Sequence, residues 1–330
     1  YIYTLSLHDA LPIWIYQRSL AFVFIRAIKD CFEKATVDIQ HSLSGGLFCV
    51  ITKEQPLSPL DLDRVKKRML ALIALDEVFQ KQVVDTHIAK EIFAKQNQPA
   101  TMELLDYRRE ASINLYAYGN LKDYFYGYMV YSAGILDKFE LTPYDGGVIL
   151  RHPTPFSKGE VPIYVEQPKI AEIHREAERW GDILNVGYLY NINQLIEKNL
   201  LKEQILITEA LQEKKIAEIA DRINANCKRL ILIAGPSSSG KTTFANRLRI
   251  QLLATGLRPV TLSTDDYFVN REFTPVDEEG KYDFESIDAV DLVQFNKDLN
   301  GLLRGDCVSM PTFNFHQGKR EYTDRKSTRL

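Results

Sequence analysis

The chain has 330 residues, 45% hydrophobic and 26% charged, which is ordinary globular material and enough for two domains. A formal charge of −3 lends no support to broad electrostatic binding of nucleic acid or a membrane surface, and no apolar run approaches the roughly 18 residues of a membrane span. The four cysteines, Cys31, Cys49, Cys227 and Cys307, are scattered, with no C-x-x-C pair and no histidine spaced for zinc, so they read as reduced core thiols of a soluble cytoplasmic protein.

Residues 1–13 have neither the basic start nor the long apolar core of a signal peptide. Read back through the genetic code, Tyr3 to Ile13 matches one frame of a common sequencing-library adapter, and Asp324 to Leu330 one frame of its partner. The natural chain is therefore expected over about Trp14 to Thr323, cut at both ends, with 1–13 and 324–330 artefactual. Apolar residues at 20, 24, 27, 28 and 31 predict a helix over Ser19 to Cys31. Ala35 to Ile39 and Leu47 to Ile51 predict strands joined by a turn over His41 to Gly46. Ser58 then Pro59 predicts a capped helix start, with the helix running to about Leu75. A further helix is predicted over Thr86 to Lys95.

Aromatic-rich strands follow over Asn114 to Tyr118, Tyr124 to Val130 and Phe139 to Tyr144. The last turns at Asp145-Gly146-Gly147 into Val148 to Arg151, a hairpin signature. The tyrosine density reads as half-buried sheet surface, with a stacking platform for bases as the alternative. His41, beside a glycine turn, and His152, before a proline, read as hydrogen-bonded structural residues. From Gln167 the pattern is helical through Glu176, over Asn193 to Leu201 and over Glu203 to Asn224, with no Pro/Gly/Ser linker. The domain boundary is expected in that stretch, near residue 220, giving an α+β module with a helical connector over 14–220 and a second domain over 221–323.

The second domain opens on an apolar run, Arg229 to Ala234, followed by Gly235-Pro236-Ser237-Ser238-Ser239-Gly240-Lys241-Thr242-Thr243, which fits G-x-x-x-x-G-K-[ST]. A strand before it and a helix after it, Thr242 to about Thr255 and ended by Gly256, make this a phosphate-binding loop. Gly235 and Gly240 let the backbone curl so that successive N–H groups face one anion. Lys241 places a cation against the outer phosphates, the Thr242 hydroxyl can ligate Mg²⁺, and the helix adds its positive end. Pro259 to Thr264 reads as the next strand of a parallel sheet, with Asp265-Asp266-Tyr267 at its carboxyl end, where open α/β sheets bind ligands. Asp265 is the candidate catalytic base, able to take a proton from an attacking hydroxyl; the alternative is that one of the two aspartates caps a turn.

In the front half, Tyr16 to Phe22, Asp61 to Met69 and Phe125 to Val130 carry a resemblance to the second additional domain of threonyl-tRNA synthetases, an editing-type α+β module, over Tyr16 to about His152. Active members carry H-x-x-x-H and C-x-x-x-H, which suit metal binding and hydrolysis. Tyr16, Leu20, Phe125 and Met129 stand at those positions here, and none can do the work of a His or Cys ligand there. A binding or scaffolding module, without hydrolytic editing and without a metal, is what this resemblance and its departures imply.

In the back half, Leu262 to Phe268, Tyr282 to Ala289 and Met310 to Phe315 resemble the uridine kinase family of P-loop kinases. That resemblance implies transfer of a terminal phosphoryl group from ATP or GTP, with Mg²⁺, to a nucleoside 5′-hydroxyl. It places Asp265 as base, Glu285 as a sugar-contacting carboxylate, Phe313 as a base-stacking aromatic and Arg320 beside the substrate pocket. Glu285 stands where better-known members have Asp, Phe313 where they have Tyr, and Gly318 where they place a base-reading His, so kinase chemistry is better supported than uridine specificity. The family's later carboxylate strand and arginine-bearing lid would fall after Thr323, so this chain is expected to bind nucleotide weakly and not to turn over. Two alternatives stand beside the nucleoside kinase: a nucleotide-dependent RNA-binding or regulatory protein, and a kinase acting on a sugar phosphate.

Overall fold

A computed structural model describes residues 13–236, 238–277 and 280–322. The adapter-like terminal sequences, save Ile13, and Ser237 of the glycine loop lie outside the described residues. The chain divides into two compact units, one up to Leu201 and one from Lys202 onward.

The first unit is built on helix α1, Ile13–Cys31, which starts earlier than the periodicity at Ser19 indicates. Leu20, Phe22, Val23, Phe24, Ala27 and Ile28 are fully enclosed, and together they leave the helix with almost no polar face. A helix apolar all round has to be wrapped rather than laid on a surface. The wrapping comes from α2, Pro59–Ala74, and from an antiparallel sheet of order β1-β2-β7-β6. Its strands are β1 Thr36–Leu43, β2 Gly46–Thr52, β6 Glu140–Tyr144 and β7 Gly147–Arg151.

Two local signals act as the sequence predicts. Ser58 and Asp61 form a reciprocal capping box on α2: the Asp61 N–H donates to the Ser58 hydroxyl at 3.2 Å, and the Ser58 N–H to the Asp61 carboxylate at 3.0 Å. Asp145 and Gly146 both take positive φ, 48° and 77°, and close a two-residue turn between Tyr144 and Gly147.

A second antiparallel sheet contains β3 Gln80–Asp85, β4 Ser112–Tyr118 and β5 Leu121–Tyr124. Helices α3, Thr86–Lys95, and α4, Pro99–Asp106, close over it around Ala89, Phe93, Leu105, Ile113 and Leu115. Neither β3 nor α4 is marked in the sequence pattern. Gln80, Lys81 and Gln82 look like loop residues, and pairing with β4 makes them a strand. The strand expected over Tyr124 to Val130 stops at Tyr124, because Gly127 turns the chain at φ 88° and α1 takes over the backbone beyond it. The Val130 N–H donates to the Ser19 hydroxyl at 3.0 Å, and Arg18 donates to the Tyr128 carbonyl. Helices α5, Pro168–Ile183, and α6, Leu189–Glu197, complete the unit.

In the second unit α7, Leu201–Ala225, packs on α8, Lys241–Ala254, through Ile216, Ala220, Ile223, Leu248 and Leu252. Helix α9, Leu292–Arg304, and the hairpin β8 Pro311–Asn314 with β9 Lys319–Tyr322 follow. Every strand pair among the described residues is antiparallel, so the described fold is α+β and the expected parallel sheet is corrected. Arg229 to Ala234 and Pro259 to Ser263 are extended but unpaired, and Leu232 is 80% exposed. A strand is defined by hydrogen bonds to a neighbour, and neither segment has one among the described residues.

The expectation of four core thiols is also corrected. Cys49 is buried, and burial pushes its thiol up to about 12, but Cys227 and Cys307 are exposed in the loops that follow α7 and α9. No helix among the described residues is long and apolar enough to cross a membrane.

Truncating Phe22 to Ala is expected to cost the first unit about 3–5 kcal/mol, and Ser58→Ala about 1 kcal/mol through the lost cap. Urea titration followed by amide exchange in α1 and α2 measures both, with the two values well separated.

Candidate functional site

The glycine loop leads directly into α8. Gly240 is its N-cap at φ 84° and ψ 16°, a left-handed conformation that disfavours any side chain. Ser238 is also left-handed, at φ 57°. A Cβ on Gly235 would lie 2.9 Å from the Ser239 hydroxyl, so that position is closed to larger residues unless the serine moves. The Lys241 ammonium folds back over the loop and donates to the carbonyls of Gly235 and Pro236, both at 2.8 Å.

No side chain caps the start of α8. Gly240 accepts the Phe244 N–H at 2.9 Å, while Ser238, Ser239, Gly240, Thr242 and Thr243 are exposed. Uncapped N–H groups at a helix start, a left-handed glycine and a lysine that reaches its own loop carbonyls together suit an oxyanion ligand. The Thr242 hydroxyl lies in the first turn of that helix, where it can add one oxygen ligand to a Mg²⁺ held mainly by phosphates.

The second group of candidate residues is organised by a 3₁₀ turn, Thr264–Tyr267. The Ser263 hydroxyl accepts the Asp265 N–H at 3.3 Å, which leaves the exposed Asp265 carboxylate at the turn's surface. Asp266 faces the other way: its carboxylate accepts the Phe313 N–H at 3.3 Å and ties the turn to β8. Tyr267 is buried, and its hydroxyl donates to Asp298 on α9 at 3.2 Å. The Gln294 amide donates to the other Asp298 oxygen at 2.7 Å. Burial, reinforced by Asp298, drives the Tyr267 phenol well above its ordinary range, so it stays a donor.

Arg320 sits inside this arrangement. Its guanidinium donates to the Asp291 carboxylate at 3.0 Å and to the Phe268 carbonyl at 3.2 Å, and its backbone N–H to Asn270 at 3.1 Å. Asp291 is the N-cap of α9, its carboxylate held below the usual range by the Gln294 N–H and then by Arg320. Arg320 is thus a clamp that joins β9, the 265–270 loop and the start of α9.

Around Phe268 the rings of Phe284, Phe313 and Phe315 meet edge-on at 5.7–6.3 Å, and Tyr282 adjoins Phe284 at 6.0 Å. Phe313 is mostly buried, whereas Phe284, Phe315 and Tyr282 are each about half exposed. Glu285 follows Phe284 and is exposed, its N–H held by the Asp283 carboxylate at 3.0 Å. Asp265, Glu285, Phe313 and Arg320 therefore belong to one neighbourhood of turn, hairpin and ring cluster. No hydrogen bond, ion pair or ring contact joins that neighbourhood to the glycine loop among the described residues.

Sequence reasoning did not find Asp298 or Asp291. Asp291 carries the signal of a capping aspartate just before an apolar helical pattern. Asp298, two turns further on, carries no comparable signal in the sequence.

In the first unit, the positions equivalent to the metal ligands of active editing modules are filled by packing. Tyr16 and Leu20 are buried, and Phe125 and Met129 pack against the same core. The Tyr16 hydroxyl both donates to the Lys138 carbonyl, at 3.0 Å, and accepts the Lys138 N–H, at 2.9 Å. Among the described residues no group of three His, Cys, Asp or Glu side chains is placed to hold a metal ion. Beside Phe125 lies a surface groove of about 370 Å³ lined by Lys81, Arg108, Tyr124, Tyr126 and Tyr128. Lys81 lies 5.5 Å from the centre of the Tyr128 ring and Arg108 5.9 Å from that of Tyr124, and Tyr126 and Tyr128 are exposed.

No family model matches the chain. It is 27% identical over 127 residues to the threonine–tRNA ligase of Maridesulfovibrio salexigens, and 30% identical over 128 residues to that of Desulforamulus reducens. It is also 30% identical over 134 residues to the enzyme of Paraburkholderia phymatum. These matches take in 38–40% of this chain, and the chain spans about a fifth of the length of those relatives, 20–21%. The similarity to threonine–tRNA ligases is thus partial, and its extent is about that of the Tyr16–His152 segment. The kinase resemblance of the back half has no counterpart among these three.

Arg320→Ala is expected to speed amide exchange across Tyr267 to Asn270 at least tenfold while leaving α7 and α8 unchanged. Hydrogen-exchange mass spectrometry of the second unit reads the difference.

Proposed function

We propose that the second unit binds a nucleoside triphosphate with Mg²⁺ and belongs to a kinase that phosphorylates a small alcohol, most simply the 5′-hydroxyl of a nucleoside such as uridine or cytidine. The single observation that carries this is the glycine loop: an uncapped helix start, a left-handed Gly240 and Lys241 turned over the loop, all in the order a phosphate cradle needs.

In this reading the loop N–H groups bind the phosphates, and Lys241 leaves the Gly235 and Pro236 carbonyls to pair with the outer ones. The Thr242 hydroxyl would help to hold Mg²⁺, which would supply charge neutralisation. Asp265 accepts the proton of the attacking hydroxyl as the new O–P bond forms and the bond to the departing diphosphate breaks. The acceptor rests against the exposed edges of the Phe284 and Phe315 rings, with Phe313 behind them and Glu285 on its sugar. ATP and GTP both fit this description, and a sugar phosphate is the alternative acceptor. Reduced cysteines and a free-nucleotide substrate suit the cytoplasm.

The groove lined by Tyr124, Tyr126, Tyr128, Lys81 and Arg108 favours a second reading, in which the first unit holds single-stranded RNA. Exposed tyrosines offer faces to bases while Lys81 answers phosphates; Arg108 lies 3.5 Å from Glu110, which also lines the groove. The partial similarity to threonine–tRNA ligases supports it, and the overall negative charge opposes it.

Lys241→Ala is expected to weaken binding of a fluorescent ATP analogue at least tenfold, measured by anisotropy on this chain. Asp265→Asn is expected to keep nucleotide affinity within twofold and to lose phosphoryl transfer in a screen against a nucleoside panel. Retained transfer by that variant overturns the assignment of the base.

For the RNA reading, Tyr126→Ala with Tyr128→Ala is expected to weaken a short single-stranded oligonucleotide by about 1–3 kcal/mol per stacked base. Unchanged affinity removes the groove from consideration.

A further inference from the structure

A cluster outside both candidate sites carries a different kind of function. Strand β1 lies at the edge of its sheet, and its register with β2 shifts between Ile39, opposite Cys49, and Ser42, opposite Leu47. Gln40 and His41 thus share one partner position, at Phe48. A bulge of this kind re-aims a side chain. Here it sends His41 toward α5, where its ring stacks on His174 with centroids 3.6 Å apart and planes 8° from parallel. The other neighbour of the ring is Phe48, 5.3 Å away. His41 Nδ1 lies 3.4 Å from the Glu178 carboxylate, and His41 Nε2 is buried with no hydrogen-bond partner.

Little else holds α5 to the sheet. Ala171 is its one fully buried residue among the described side chains, set among Leu43, Phe48 and Ile149. Ile170 and Ile173 are exposed. The Gln167 side chain accepts the Ser44 N–H at 3.0 Å, and Arg175 pairs with Asp145 in the β6–β7 turn.

We propose that the His41–His174 stack is a proton-operated latch that holds α5 on the edge of the sheet near neutral pH and lets it go on mild acidification. Two face-to-face imidazoles tolerate one proton between them, because Glu178 can answer one positive charge; two protons repel at contact distance. A proton on His41 Nε2 is not solvated there, since that atom is enclosed and Phe48 closes one side.

The charged group that meets the pair is Glu178, the one carboxylate among the described residues within ion-pair distance of His41. Around Glu178 stand Asp38 on β1, Asp182 on α5 and Asp145 at the β6–β7 turn, the last paired with Arg175. Burial lowers the His41 pKa, and the His174 charge lowers it further. The docked state therefore binds fewer protons than the released state, in which both rings are solvated. Docking is complete above the ordinary histidine value of about 6.5 and weakens as pH falls below it. Burial raises the Glu178 carboxyl, so its charge is lost at a higher pH than that of a solvated glutamate.

Hydrogen-exchange mass spectrometry of the whole chain at pH 7.5 and 6.0, corrected for the intrinsic pH dependence of amide exchange, tests this. A freed imidazole of ordinary pKa about 6.5 is roughly three-quarters protonated at pH 6.0, which draws opening up about fourfold. Peptides from 168–183 are expected to lose about that factor of protection while α1 stays unchanged. Asp123 also titrates here, its carboxyl lifted by burial to about 6, but it lies on β5 and is read in separate peptides.

His41→Phe keeps a ring in the stack and removes the titration, so it is expected to abolish the pH effect with α5 still docked. Equal protection at both pH values, or a fourfold change that survives His41→Phe, overturns the latch. Should that variant fail to fold, the His41 ring resonance of the unaltered chain decides: titration well below 6.5 supports the latch, and titration at or above 6.5 sinks it.

Discussion

The first unit depends on a helix that cannot tolerate water on any side. Leu20, Phe24 and Ile28 lie along one face of α1 at i, i+4 spacing, Phe22 lies on roughly the opposite face, and all four are fully buried. Sheet, helix α2 and the 125–130 loop therefore converge on α1, and the few polar groups on it are used as joints. The Ser19 hydroxyl donates to the Ile15 carbonyl at 2.7 Å and accepts the Val130 N–H, and the Tyr16 hydroxyl holds the backbone of Lys138 in both directions. These contacts explain why the loop after β5 abandons the strand pattern.

The same constraint bears on function. Where an editing module of the resembled kind needs ligands on the helix and on the loop, this chain has Tyr16, Leu20, Phe125 and Met129, and all four are committed to packing. A His or Cys at those places would have to leave an apolar environment or find partners within it, and a buried polar group without partners is costly. What the unit still presents to solvent includes Tyr126 and Tyr128 beside Lys81 and Arg108.

The second unit follows another logic. Its candidate residues fall into two groups, each coherent within itself. In the loop around Gly240 the backbone conformation is set by residue type, because only glycine takes that φ without strain. In the 263–322 neighbourhood the conformation is set by a relay of buried polar contacts: Asp266 to β8, Tyr267 to Asp298, and Arg320 to Asp291 and the Phe268 carbonyl. Asp265 takes no part in these contacts, and its carboxylate is left at the surface.

Residue order alone determined what depends on a few adjacent positions: the Ser58–Asp61 cap, the Asp145-Gly146 turn, helix Thr86–Lys95 and the glycine loop entering α8. Each is a local balance of backbone sterics and hydrogen bonding that neighbours many residues away scarcely alter. Strand β3 was invisible because polar Gln80, Lys81 and Gln82 become a strand only beside β4. Arg229 to Ala234 misled for the converse reason, since an apolar composition supplies no hydrogen-bond partner. Tertiary structure alone decided that Asp298 serves Tyr267, that Arg320 clamps a loop and that a bulge turns His41 onto His174. All three are meetings between side chains distant in sequence, and periodicity carries no information about them.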